Sequence, residues 1–250
     1  GHPLVTRTLV RRGITDSKEA RAFLDPRHYQ PAPASELRLA VRAAERLEHA
    51  IEQDERICVW GDFDVDGQTA TTLLVSTLEA LGGSVRFHIP NREREGHGIR
   101  LPALKDVMAQ GVSLLLTCDT GITAHAAIAY AREQGVDVIV TDHHDLPPDI
   151  PGAYAAIDPK MLPRTHALRE LPGVGVAYKL AELLYSRAGR SEEARRYLDL
   201  VALGIVADVA TQVGDVRYLL QLGLEALRHT ERVGLQVLME VSELDPRQLT

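Results

Sequence analysis

Apolar and polar positions along this chain follow two rhythms, and the change between them falls near residue 55. Upstream, Leu39, Ala43, Leu47, Ala50 and Ile51 recur at helical spacing in a segment that begins near Ser35. Before it, Asp16 and Glu19 form a capping-box pattern, and Ala22, Phe23 and Leu24 carry that helix to a stop at Pro26. Pro31 and Pro33 mark a linker. Downstream, short apolar runs predict strands over 57–60, 85–89, 112–117, 136–141 and 153–157. Between them lie helical patterns over 69–81, 101–109 and 124–133. This alternation predicts βαβ units and a parallel sheet. The runs 112–117 and 136–141 are almost continuously apolar, as expected for strands covered on both faces. Beyond Pro172 the strand signal fades and helices are predicted over 174–188, 192–206, 216–230 and 235–241. The expected fold class is α/β, a mostly parallel sheet flanked by helices. A helical lead-in occupies 1–54, and one domain with a helical C-terminal part occupies 55–250.

Acidic loops punctuate this pattern. Gly61-Asp62-Phe63-Asp64-Val65-Asp66-Gly67, Cys118-Asp119-Thr120-Gly121 and Asp142-His143-His144-Asp145 each follow a predicted strand, and Asp208 closes the helical run before it. In an extended chain, carboxylates at every second position put Asp62, Asp64 and Asp66 on one face. Gly67 is then expected to let the backbone turn tightly into the next helix. A strand, glycine turn and helix can also seat a nucleotide, but the glycines do not fit that fingerprint, and three carboxylates would repel a bare pyrophosphate. A bound metal ion resolves the conflict. Asp119, taken alone, reads equally well as a helix N-cap or as a ligand. In the paired histidines, neighbours on an extended chain point oppositely, so one can ligate while the other faces substrate. Asp142 can orient an imidazole by accepting its ring N–H. If Asp64, Asp66, Asp119 and Asp208 share a cleft, four negative charges meet, and divalent cations are needed to balance them. Oxygen-rich ligation with one or two imidazoles suits manganese or magnesium better than zinc. Two such ions would activate water and clamp phosphoryl oxygens.

Composition narrows the context. The chain has 250 residues, 45% hydrophobic and 25% charged, with ordinary globular proportions. Aromatics are only 4%, so aliphatic residues build the core and base-stacking platforms are scarce. Cys58 and Cys118 lie in apolar runs with no CxxC spacing, which predicts buried structural thiols in a reducing compartment. No apolar run approaches the roughly 18 residues of a membrane span and no signal peptide opens the chain. A cytoplasmic protein without membrane contact is the expectation, with Gly1-His2 a cloning remnant. The net charge of −7 means the whole-molecule field does not draw in nucleic acid. Only Lys18, Lys105, Lys160 and Lys179 are lysines; the other basic residues are arginines.

In order, the GDFDVDG loop, the aspartate of CDTG, the Asp142-His143-His144 triplet and the aspartate of Val206-Ala207-Asp208-Val209 resemble the four acidic motifs of the DHH phosphoesterase superfamily. Pro90-Asn91-Arg92, Gly96-His97-Gly98, the 171–177 run LPGVGVA, the 198–208 run and the Arg12-Gly13-Ile14 lead-in resemble the RecJ-like family within it. That resemblance covers nearly the whole chain. It implies 5′→3′ hydrolysis of single-stranded DNA in repair and recombination, with two divalent ions, manganese or magnesium, as cofactor. By the same similarity Asp66, Asp119, His143 and Asp208 hold one ion, and Asp64 and Asp119 hold a second. Asp119 is then the bridge, His144 faces the scissile phosphate, Asp142 supports the histidines, and Arg92 meets a phosphate. A helicase or a single-strand-binding protein is a partner by analogy. Two departures stand out. Trp60 occupies a position where many members carry a histidine, so the second ion loses an imidazole and either binds weakly or recruits Asp62 in compensation. The DHHA1 and OB domains have no counterpart, so the chain reads as an excised catalytic core that grips DNA poorly. The alternatives are a DHH hydrolase of short oligonucleotides, cyclic dinucleotides or pyrophosphate, and an inactive scaffold that keeps the fold.

Overall fold

The structure, a computed structural model, describes residues 2–249. Gly1 of the expected remnant and Thr250 at the end of the expected domain lie outside them. Strands β1 (Arg56–Trp60), β2 (Ser84–His88), β3 (Leu114–Cys118), β4 (Asp137–Thr141) and β5 (Ala155–Ile157) form one sheet in the order β2-β1-β3-β4-β5. Every neighbouring pair is parallel, as the strand–helix alternation predicts. The order in which successive strands are added reverses between β1 and β3. The crevice outside the carboxyl ends of strands at such a switch point is where open α/β sheets bind ligands.

Both faces of the sheet are covered, which explains the uninterrupted apolar strands. Ile57, Val59, Leu114, Leu116, Ile139 and Ile157 face one core, shared with α3 (Ala40–Glu52), α4 (Val65–Ala80), α7 (Gly173–Arg187) and α8 (Leu198–Ala207). Cys58, Trp60, Leu115, Val138, Val140 and Ala156 face the other, packed on α5 (Leu101–Met108) and α6 (His125–Glu133). Both cysteines are buried free thiols. Among the described residues no helix is long and apolar enough to cross a membrane.

The lead-in is tied to the C-terminal helices. Ahead of α3 it comprises α1 (Pro3–Arg11), α2 (Ser17–Leu24) and two short 3-10 turns. Asp16 caps α2 as expected, accepting the Lys18 and Glu19 amides at 2.8 and 2.9 Å. The Tyr29 hydroxyl and the Ala32 amide donate to Asp215 Oδ1, at 2.8 and 3.2 Å. Asp215 lies in the first turn of α9 (Gly214–Arg228), fully buried, with Lys179 Nζ 3.0 Å from its Oδ2. The helix expected over 192–206 is divided: Ser191–Tyr197 is 3-10, and α8 starts afresh at Leu198. Asp199, in the first turn of α8, turns its carboxylate back onto the Leu200 amide (2.8 Å) and takes Thr230 and Arg232 as partners. A last helix, α10 (Val233–Val241), follows α9.

Candidate metal centre

The loop after β1 does not stay extended through Asp66. Asp64 is the N-cap of α4, its Oδ1 accepting the Gly67 amide at 2.9 Å. The free amides of a helix start compete successfully for a short acidic side chain. The helix therefore begins four residues before the predicted start, and Asp66 belongs to its first turn, not to one face with Asp62 and Asp64. Gly67 is likewise inside the helix, and its φ is not left-handed. Glycine is required there by close approach, since a Cβ would stand 2.7 Å from the backbone N and O of Asp62.

Asp66 is buried and reaches across to the N-terminus of α7. Its Oδ2 accepts the Gly173 amide at 2.7 Å and its Oδ1 the Val174 amide at 2.8 Å. Two free amides at a helix start are a natural seat for a carboxylate. Gly173 also lets α7 approach Asp119, whose Cβ and Oδ1 would lie 2.6 Å from any Cβ at that position. These two amides belong to the candidate site, and residue-type reasoning missed them. Their signal was Pro172 followed by glycine, the start of a helix.

Asp119 follows β3 and prolongs the sheet, its amide donating to Thr141 O at 3.0 Å. It does not cap α6, whose N-cap is Ala124 with no side-chain bond. Its backbone is left-handed, φ 60°, and Val209 next to Asp208 has φ 56°. Such outliers in residues other than glycine cluster at functional sites. Asp119 Oδ1 lies 3.0 Å from His143 Nε2, yet it is a buried oxygen with no hydrogen-bond partner. His143 Nε2 is also 3.7 Å from Asp66 Oδ2. Asp66, His143 and Asp208 each offer a ligand atom within 4.8 Å of the others, as do Asp119, His143 and His144. Asp62 and Asp64 belong to neither group: Asp62 Oδ1 accepts the Phe63 amide at 2.6 Å, and Asp64 caps α4.

Asp142 supports this arrangement from beneath. Its Oδ2 accepts the Ile122 amide at 2.8 Å. Its Oδ1 accepts the His143 amide at 2.7 Å and the His144 ring Nδ1–H, also at 2.7 Å. That bond leaves His144 Nε2 free on a ring whose side chain is 57% exposed. On the β2 side of the cleft the Arg92 guanidinium lies 5.1 Å from the Phe63 ring centroid. Trp60 is fully buried and packs against His88, ring centroids 4.1 Å apart and planes tilted by 38°, while His88 Nε2 meets Glu95 at 2.9 Å.

The electrostatics single out the same residues. Burial, reinforced by Asp119, pushes the Asp66 carboxyl up to about 8, and burial with Asp64 nearby pushes Asp119 up to about 9. Burial also raises Asp62 and Asp208. Asp142 goes the other way: burial opposes its charge, but the His144 hydrogen bond and charge hold it below the usual range. The same bond raises His144 to about 9. Several carboxyls forced toward one point, each reluctant to ionise, form a site that gains from a cation. The orphaned Asp119 oxygen, aimed at an imidazole nitrogen without bonding it, fits two ligands sharing an ion. Carboxylates with imidazole and no thiolate suit a hard divalent metal.

A parallel sheet with an acid- and imidazole-lined crevice at its switch point presents a candidate metal centre, and the family can be stated. Residues 56–205 match the DHH family, N-terminal domain, and the chain belongs to that family. It is 40% identical over 240 residues to the single-stranded-DNA-specific exonuclease RecJ of Bacillus subtilis, covering 96% of this chain and 30% of that protein. It also superposes on exonuclease RecJ bound to manganese with a TM-score of 0.78 at 38% identity, over 84% of this chain and 54% of that one. The RecJ complex with Mn2+ from Thermus thermophilus gives 0.76 at 34% identity, over 98% and 36% of the two chains. The chain spans less than half the length of the curated relatives it matches.

Proposed function

We propose that this chain is the catalytic part of a metal-dependent exonuclease that hydrolyses single-stranded DNA from its 5′ end. The observation that carries the reading is the meeting of Asp66, Asp119, His143 and Asp208 at the switch point, with one buried Asp119 oxygen left unpartnered. The similarity to RecJ proteins, two of them solved with manganese, supports both the substrate and the metal. Asp66, Asp119, His143 and Asp208 would hold manganese or magnesium, with Asp64 and Asp62 beside them for a second ion. The bound cations would supply an activated water and neutralise charge on phosphoryl oxygens.

The chain's own groups do the rest. The Gly173 and Val174 amides fix the Asp66 carboxylate, so it does not reorganise when substrate arrives. Asp142 fixes the His144 ring and keeps it protonated at neutral pH, so Nε2–H can donate to a phosphate oxygen. Arg92, on the rim, offers a planar guanidinium to a further phosphate. The test is hydrolysis of a 5′-phosphorylated single strand with manganese, comparing the parent chain with Asp119→Ala. Activity is expected only in the parent, and equal rates would end the reading.

A further inference from the structure

The β5 flank of the cleft holds a cation that the site described so far does not use. β5 pairs with β4 through Thr141↔Ile157, and the Asp142 amide donates to Ile157 O at 3.0 Å. The turn that follows, Pro159–Met161, therefore leaves the sheet at the same edge as the Asp142-His143-His144 loop. Its backbone is held from two sides. Asp158, fully buried, accepts the Lys160 amide on Oδ1 at 2.7 Å, and the Arg169 guanidinium donates to Lys160 O. The Lys160 side chain is about one-third exposed, and its Nζ lies 2.8 Å from Asp145 Oδ1. Asp145 immediately follows His144 and its side chain is 98% exposed. The Asp145 contact thereby sets the ammonium beside the His143-His144 loop.

Lys160 is one of four lysines in a chain of net charge −7. Attraction for a polyanion must then come from local cations around the cleft, not from the general field. Arg92 stands on the β2 side and Lys160 on the β5 side, with the acidic cluster between them. A salt bridge to a fully solvated aspartate is weak and easily exchanged. A phosphate diester offers the same anionic oxygens without an ordered carboxylate to displace from the fold.

We propose that Lys160 contacts a backbone phosphate of the substrate strand on the β5 side of the cleft, and that Asp145 holds its ammonium until that phosphate takes the carboxylate's place. This rests on the nuclease reading above. It makes the two members of one ion pair act in opposite directions, which a merely structural bridge does not.

The experiment measures kcat and KM of the full chain with manganese on a 5′-phosphorylated single strand, across a potassium chloride series. The variants are Lys160→Gln, Lys160→Arg and Asp145→Asn. Lys160→Gln is expected to raise KM about three- to tenfold and to reduce the slope of log(kcat/KM) against log salt by about 0.7, one phosphate's share on a single strand. Its kcat should stay within about twofold, because the contact holds the strand away from the reacting bond. Lys160→Arg should restore most of the KM and the slope. Asp145→Asn should lower KM, by up to about fivefold, by freeing the ammonium. If the parent cleaves and Lys160→Gln keeps its KM and salt slope, or Asp145→Asn shifts KM in the same direction as Lys160→Gln, the contact is wrong and the nuclease reading stands. If the parent does not cleave, both fall together.

Discussion

Asp119 shows how much of the site rests on single residues under strain. Its left-handed backbone costs about 1–3 kcal/mol in a residue other than glycine, and its buried carboxyl resists ionisation. Asp119→Asn removes the charge and places a side chain that tolerates this conformation better. It should therefore raise the melting temperature of the metal-free protein by a few degrees and abolish the rise that manganese gives the parent. Calorimetry with and without chelator decides this, and a lower metal-free value would count against it. Asp142 acts differently, through His144. Asp142→Asn withdraws the carboxylate that lifts His144 to about 9, so the imidazolium is lost at lower pH. The alkaline limb of the pH–rate profile should move down toward the ordinary histidine range, and an NMR titration of His144 should follow it. At this scale the sequence was informative about residue type. The aspartates and paired histidines stood out because carboxylate and imidazole side by side at strand ends have few other uses. The Gly173 and Val174 amides and Asp158 did not stand out, because main-chain donors carry no letter code and Asp-Pro reads as a turn.

Between elements, the site depends on how closely α4, α7 and α8 approach one another. Gly204 in α8 is the contact point: a Cβ there would lie 2.6 Å from Thr69 Oγ1 and Val174 Cγ1, and 2.9 Å from Asp66 Oδ1. Gly223 in α9 plays a similar packing role against Leu198 O and Ala202, at the opposite end of α8 from Asp208. Gly204→Ala and Gly223→Ala should each destabilise by about 1–3 kcal/mol through overpacking. Only Gly204→Ala should also weaken manganese binding, since only it presses on Asp66. Calorimetric titration of both folded variants separates the two, and equal loss of affinity would refute the assignment. The strands and most helices were legible in advance because their periodicity is local. The start of α4 was not, because Asp64 uses its side chain on the Gly67 amide. That bond forms only in the folded turn.

The whole molecule registers the cluster as a dependence of stability on pH. Asp66 and Asp119 keep their protons up to about 8 and about 9 when metal-free, against an ordinary value of 3.8. Between those limits the native state holds more protons than the unfolded chain, so stability falls as pH rises. The contribution is complete below 3.8 and is lost as pH passes through the native values. His144, raised to about 9 from 6.5, adds the same sign over the upper part of the window. A bound cation substitutes for the protons, so manganese affinity should climb with pH over the same range, with proton release on binding. Melting curves on either side of neutrality, one mildly acidic and one mildly alkaline, test this. The metal-free melting temperature should drop at the higher pH and the manganese-bound one should not, whereas a metal-free value that climbs would contradict the linkage.

Reading neighbouring positions was enough to obtain the alternation of strands and helices, hence a parallel α/β sheet, and the residue types that emerge at the strand ends. Hydrophobic periodicity and side-chain chemistry are local properties, which is why they show in the bare chain. Folding in three dimensions was needed to learn that Asp66 is held by amides 107 and 108 residues away, and that Asp119 keeps one oxygen without a partner. The same holds for Lys160, which reaches the rim opposite Arg92 only in the folded sheet. Those facts follow from strand order and from helix approach through glycine, which depend on contacts between distant segments and have no signature in any local window.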